Sequence, residues 1–179
     1  MSFEVRFQKI GEDSVEKLSD MARFTFCDTF RHYSEDDLNE YLKSSLSVEA
    51  LRPKLNDSRN GYYFVNLNGH STGYLKWISP STQYLEDLQV SYDRALQLER
   101  FYFLPEYCGK GLAAIALAFV ESYARYQAGA DLLYLSVWEK NFRAQRFYQK
   151  HGFRSLSSFQ YPVGDVVDLE FLYGKRLGT

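Results

Sequence analysis

Cysteine is scarce: Cys27 and Cys108 are the two in 179 residues. Their separation matches no zinc-ligand spacing and no disulfide framework, so neither class is expected, and no metal. A reducing cytoplasm is the expected compartment. Charge of one sign is also missing. Lys and Arg number 21 against 23 Asp and Glu, a net charge of −2, with no basic block. A nucleic-acid surface is therefore not expected. No apolar run approaches the ~20 residues of a membrane-spanning helix. The opening residues MSFEVR lack the apolar centre of a signal peptide, so no secretory leader and no membrane partner is expected. Internal repeats and low-complexity stretches are absent too.

What is present looks like an ordinary soluble domain. Apolar residues make up 45% and charged ones 25%. The length suits one compact domain with a real core, expected over residues 1–179. Aromatics are abundant, at 17% with 15 Tyr and 14 Phe. They suit a strand-rich core with a partly aromatic pocket, or simply the filling of a sheet.

The chain is organised around Leu96 to Ala128. Leu96 to Leu104 alternates with a period of two and reads as a strand. Pro105 stops it, having no N–H for the ladder. Glu106-Tyr107-Cys108-Gly109-Lys110-Gly111 reads as a turn, and Leu112 to Tyr126, rich in Ala and Leu, as a helix. A helix start has unpaired N–H groups and the positive end of the macrodipole. Gly109 and Gly111 let an anion approach the backbone. The turn is expected to hold a pyrophosphate, although a Gly-x-Gly connection also serves as a plain tight turn.

The rest reads in order. Phe3 to Ile10 alternates as a strand, and Val15 to Tyr33 has helical spacing. Phe24, Phe26, Phe30 and Tyr33 line a pocket or fill core. Ser34 caps a helix through Leu46, and Ser47 a shorter one from Val48 to Leu55, interrupted or started by Pro53. Tyr62–Leu67 and Thr72–Ile78 are strands joined at Asn68-Gly69 by a primed turn. A polar loop, Ser79 to Tyr92, follows. Leu132–Trp138 is a continuous apolar strand, expected to be buried on both faces and parallel to the strand before the helix. Asn141 to Lys150 is a helix; Arg154–Val163 and Val166–Leu177 are the last strands. The fold class is α/β, a mixed sheet in a single domain.

This sequence resembles the GNAT acyltransferases. Their acetyl-CoA loop runs Gln or Arg, two residues, Gly, one residue, then Gly or Ala. Here that is Cys108-Gly109-Lys110-Gly111-Leu112-Ala113, with Cys108 in the Gln/Arg place. The second motif, Asn, Ala, Phe-Tyr and Gly-Phe, is Asn141, Ala144, Phe147-Tyr148 and Gly152-Phe153. The resemblance implies a splayed parallel strand pair, acetyl-CoA as co-substrate and a small amine as acceptor. Cys108 removes a side-chain donor, yet backbone amides do most of the phosphate work in such a turn. A thiol relay is not expected, because no base accompanies Cys108.

The resemblance also implies roles. Backbone amides across Phe101, Tyr102 and Phe103 would meet the pantetheine arm. Those of Gly109, Lys110, Gly111, Leu112, Ala113 and Ala114 would hold the pyrophosphate. Asn141 would bond the pantetheine, and Tyr148 would protonate the leaving thiolate. Tyr148 is otherwise a core aromatic beside Phe147, and adjacent helix positions do not share a face. Glu99, on the face of Phe101 and Phe103, is the candidate base, or else a strand carboxylate paired with Arg100 or a Lys. Val137-Trp138-Glu139-Lys140-Asn141 resembles a segment of bacterial spermine/spermidine N-acetyltransferases. A polyamine would need acids, for which Glu35, Asp36, Asp37, Glu86, Asp87 and Asp93 are candidates; each also suits a solvated loop or helix start. Acceptors other than polyamines, such as peptide N-termini, remain open. A homodimer through the C-terminal strands is compatible with the pattern, and nothing in it requires one.

Other classes fit less well. Gly109-x-Gly111-x-x-Ala114 mimics a dinucleotide fingerprint with Asp131 about twenty residues on, but too little chain follows for a doubly wound sheet. No Gly-Lys-Ser/Thr occurs, so a nucleotide-hydrolase loop fails. A CoA-binding regulatory protein without turnover is the non-enzymatic alternative.

Overall fold

The computed structural model describes residues 4–86 and 94–178. In chain order the elements are β1 (Val5–Lys9), α1 (Val15–Thr29), α2 (Glu35–Leu46), α3 (Val48–Asn56), β2 (Asn60–Leu67), β3 (His70–Ile78), β4 (Ala95–Phe103), α4 (Leu112–Tyr126), β5 (Leu132–Trp138), α5 (Phe142–Lys150), β6 (Arg154–Val163) and β7 (Val166–Arg176). This is the order expected from the sequence. The strands form one seven-stranded mixed sheet in the order β1-β2-β3-β4-β5-β7-β6. β4 and β5 run parallel, while β1–β2, β5–β7 and β6–β7 are antiparallel. The chain packs as two compact units, one running to Trp77 with Arg100–Ala118, the other Ile78–Glu99 with the chain from Phe119 on. β4 and α4 each begin in one unit and end in the other.

In the first unit, local chemistry sets the helix starts. Ser34 Oγ accepts the Asp37 N–H at 3.1 Å, and Ser47 Oγ accepts the Ala50 N–H at 3.2 Å. Such caps are worth about 1 kcal/mol each. α3 runs on through Pro53 to Asn56. α1 buries Val15, Leu18, Ala22 and Phe26, three and four residues apart, so one stripe faces the core. Asn68 and Gly69 have φ of 49° and 84°, the pair of positive values a primed hairpin turn requires. Phe26 stacks on Tyr41 at 4.3 Å and lies 4.6 Å from Phe30, which stacks on Tyr33 at 5.6 Å. The expected aromatic group is therefore mostly packed, whereas Phe24 is exposed.

In the second unit, Ala95–Leu98 of β4 and Leu132–Leu135 of β5 are buried. β5 is not buried on both faces to its end: Ser136 is exposed and Trp138 half-buried. One face of this unit's sheet collects Ala95, Leu132, Tyr134 and Leu172, covered by Leu85, with Tyr84, Leu156 and Phe159 against them.

Candidate active site

The turn between β4 and α4 is built from backbone. Pro105 does more than end β4; it opens a 3₁₀ turn, Pro105–Tyr107. Tyr107 N–H donates to Leu104 C=O at 2.9 Å and Cys108 N–H to Pro105 C=O at 3.1 Å. Gly109 and Gly111 then take φ of 79° and 82°, where a Cβ is strained, although a Cβ on either would meet nothing within 4 Å. Glycine is thus required by conformation, and the space beside it is open. Among the described residues, the N–H groups of Gly109, Lys110, Gly111, Leu112 and Ala113 meet no carbonyl. Ala114 differs from expectation: its N–H donates to Gly111 C=O at 3.1 Å, closing the first helical turn. Cys108 Sγ lies 3.6 Å from Leu104 C=O, turned back on the end of β4. The Lys110 ammonium lies 5.3 Å from the Tyr107 ring centre.

β4 presents different residues on its two faces. The rings of Phe101 and Phe103 meet edge-on at 5.3 Å, confirming a shared face, which by alternation is that of Gln97 and Glu99. Tyr102 stacks on Tyr74 at 5.9 Å, and Arg100 donates to the Tyr41 hydroxyl. These two belong to the opposite face. Gly73 of β3 lets this part of β4 come close: a Cβ there would sit 2.4 Å from Tyr102 C=O.

The β4–β5 ladder is short. It joins Ala95 to Leu132, Leu96 to Leu133 and Gln97 to Tyr134, while β5 runs on to Trp138. From Glu99 to Phe103, β4 is only half-buried. At the last pair lies a polar chain that the sequence did not disclose. Ser81 Oγ donates to Gln97 Oε1 at 3.0 Å and lies 2.7 Å from the Tyr134 hydroxyl. All three side chains are buried.

The acids divide differently from expectation. Glu35 and Asp36 are exposed at the start of α2, and Asp37 accepts the Ser34 hydroxyl at 2.7 Å within the cap. Glu86 is exposed; Asp87 and Asp93 lie outside the described residues. Two other acids are buried, Asp168 at 6% and Glu170 at 9% exposure, on β7. Glu170 is paired with Trp138 of β5 and Gly174 with Tyr134. By alternation Asp168 and Glu170 therefore share the sheet face of Tyr134 and Leu172. The signal in the sequence is the run Val166-Val167-Asp168-Leu169-Glu170, where acids alternate with apolar residues.

α5 carries the remaining candidates. Asn141 Oδ1 accepts the Ala144 N–H at 3.1 Å, so this residue is the helix cap. The cap occupies Oδ1 and leaves the amide NH₂ to other partners. Tyr148 is the buried residue of α5, 7% exposed, its ring 5.4 Å from Phe153 and edge-on to Phe147 at 5.2 Å. Of the adjacent pair, Tyr148 is the one turned inward and Phe147 the half-buried one. Among the described residues no group of His, Cys, Asp and Glu could hold a metal, and no helix is long and apolar enough to cross a membrane.

Comparison with known proteins gives a consistent set. The family model described as acetyltransferase (GNAT) matches residues 16–153. An uncharacterised N-acetyltransferase of Lactobacillus delbrueckii subsp. lactis is 27% identical over 174 residues, covering 97% of this chain and 98% of that one. An uncharacterised N-acetyltransferase of Mycobacterium bovis is 31% identical over 142 residues, 79% of this chain and 83% of that one. Among solved structures, the PaiA N-acetyltransferase of Thermoplasma acidophilum in complex with coenzyme A has a TM-score of 0.74 at 22% identity, covering 98% and 99% of the two chains. A chimeric spermidine N-acetyltransferase from Vibrio cholerae has a TM-score of 0.70 at 14% identity, covering 97% and 95%. At such identities the solved structures speak for the fold alone.

Proposed function

The chain belongs to the GNAT acetyltransferase family and is an acetyl-CoA-dependent N-acetyltransferase; we propose that its acceptor is a polyamine, spermidine or spermine, acetylated by direct transfer on a primary amine. The observation that carries the acceptor is the acidic sheet face of the second unit, with Glu99 on β4 and buried Asp168 and Glu170 on β7. Three carboxylates on one sheet face gather negative charge there, and a polycation is the complement of such charge. Arg100 does not oppose this, because it lies on the other face of β4 with Tyr41.

The donor set of the β4–α4 turn suits a diphosphate: unpaired N–H groups from Gly109 to Ala113, open space at both glycines and the positive end of α4. When bound, acetyl-CoA supplies an electrophilic acetyl carbon on a thiol leaving group. The chain's residues do the rest. Backbone groups of Phe101–Phe103 and the NH₂ of Asn141 orient the arm. Glu99 takes the proton of the acceptor ammonium, which frees the nitrogen lone pair for attack. Tyr148 gives its phenolic proton to the departing sulfur. Residues 1–179 act as one acetyltransferase domain. Two free thiols suit a reducing cytoplasm.

Thermal unfolding with CoA, followed by an amine panel, tests this reading. CoA at about a hundred times its Kd should raise Tm by roughly 5–10 °C. Spermidine and spermine should give the highest kcat/KM, above N-terminal peptides and neutral amines. Turnover on peptides alone would reject the polyamine. Stabilisation by CoA without turnover on any amine would favour a regulatory CoA-binding role.

A further inference from the structure

Gln145 of α5 has no part in the chemistry assigned so far, yet its side chain is bound to the main chain at the end of β5. Its Nε2 donates to Trp138 C=O at 3.2 Å and to Glu139 C=O at 2.6 Å. Carbonyl oxygens only accept, so this pair of partners fixes which end of the amide carries the NH₂. Both of its N–H bonds go to consecutive carbonyls, the last of β5 and the first of the turn that follows. The two bonds run back seven and six residues. That is beyond the three or four that helix geometry alone brings together. Gln145 therefore ties the first turns of α5 to the end of the strand before it.

The turn so closed is the one that delivers Asn141. Asn141 N–H donates to Trp138 C=O at 2.9 Å, and Gln145 N–H to Asn141 C=O at 3.0 Å. Asn141 Oδ1 accepts the Ala144 N–H at 3.1 Å. On the strand side, Glu139 N–H donates to Leu169 C=O of β7 at 2.9 Å. Asn141 is thus held by its N–H, its C=O and its side-chain oxygen, and these bonds together set the direction of its NH₂. The cap fixes how the Asn141 side chain is rotated. The bonds from Gln145 fix the main chain that carries it. With the cap alone, the start of α5 and the NH₂ could swing together relative to β5.

We propose that Gln145 is a positioning residue for acetyl-CoA, which locks the β5–α5 turn so that the carboxamide of Asn141 is already aimed when the pantetheine arm arrives. The inference rests on the reading of Asn141 as a partner of that arm. Its physical basis is preorganisation. A turn that is loose in the free protein must be ordered on binding, and the freedom lost is set against the hydrogen bond gained. A turn closed beforehand by two side-chain bonds avoids that loss. Gln145 itself need not touch the ligand, since its NH₂ is engaged by Trp138 and Glu139. Its effect on binding passes through Asn141.

The test is the Kd of CoA, measured by calorimetry on the full chain without acceptor. Asn141→Ser keeps a capping oxygen and removes the NH₂, and should weaken binding about fivefold. Gln145→Met keeps the length of the side chain and removes both donors, and should weaken it about threefold. Gln145→Glu, ionised at neutral pH and equally without a donor, should do the same. The deciding variant carries Asn141→Ser and Gln145→Met together. Because Gln145 acts through Asn141, it should bind CoA no more weakly than Asn141→Ser alone. In the free protein, hydrogen exchange at the Asn141 amide should quicken in Gln145→Met, while that of Tyr148 keeps the parent rate. Losses that multiply in the double variant would make Gln145 a structural residue acting without Asn141, and the inference would fall. Unchanged exchange at Asn141 would overturn it as well. If Asn141→Ser weakens binding while Gln145→Met or Gln145→Glu leaves the Kd at the parent value, the inference falls and the Asn141 reading stands. If Asn141→Ser binds CoA as the parent does, the assignment of Asn141 falls, and the inference with it.

Discussion

The Gly109–Ala113 turn and the acidic face of β4, β5 and β7 are opposite kinds of construction. The turn offers consecutive main-chain donors, and its geometry depends on two positive φ angles. The face gathers Gln97, Glu99, Tyr134, Asp168 and Glu170 from three strands. A main-chain site tolerates changed side chains as long as the backbone conformation survives. The Cys108 thiol points back to the carbonyl of Leu104, at 3.6 Å, and so stands apart from the row of main-chain donors. A side-chain site has no such tolerance, because each functional group is one residue.

Tyr148 belongs to the side-chain kind and should show the largest effect. Tyr148→Phe keeps the ring against Phe153 and removes the oxygen alone. We expect kcat to fall by at least about tenfold with the KM for acetyl-CoA unchanged, as for a group acting only in the transition state. A rate equal to the parent's would make Tyr148 a packing residue and leave the leaving sulfur to water.

The turn should give a smaller loss of a different sort. Gly111→Ala meets no steric obstacle, since nothing lies within 4 Å of the added carbon. It must adopt a left-handed conformation at a cost of roughly 1–2 kcal/mol. The KM for acetyl-CoA should rise about fivefold or more with kcat retained. Cys108→Ser, by contrast, should leave KM within about twofold. Equal losses in the two variants would show that the turn acts through its side chains and would erase the distinction.

The same contrast explains what could be read in advance. The limits of α4 and β5, the caps at Ser34 and Ser47 and the Asn68-Gly69 turn rest on neighbours in sequence, and all stand where expected. So do the glycines of the turn. Ala114 was assigned one place too far, because the helix closes its first bond there. The Ser81 chain was illegible: its partners lie 16 and 53 residues away, and no local pattern links them. β7 inverts the usual placement: Val167 is 57% exposed and Asp168 6%.

That inversion yields the smallest of the expected effects, and the one most specific to the acceptor. Asp168→Asn keeps size and hydrogen bonding and removes one charge. If the β7 face recognises a polycation, the KM for spermidine should rise about threefold, or ~0.7 kcal/mol. The KM for a monoamine of similar length should stay within twofold, because it lacks the second positive charge. Raising the salt concentration should narrow the gap between the two substrates for the parent and leave it nearly fixed for the variant. An equal rise for both amines would mean that Asp168 holds the strand in place, and the acidic face would then be architecture and not recognition.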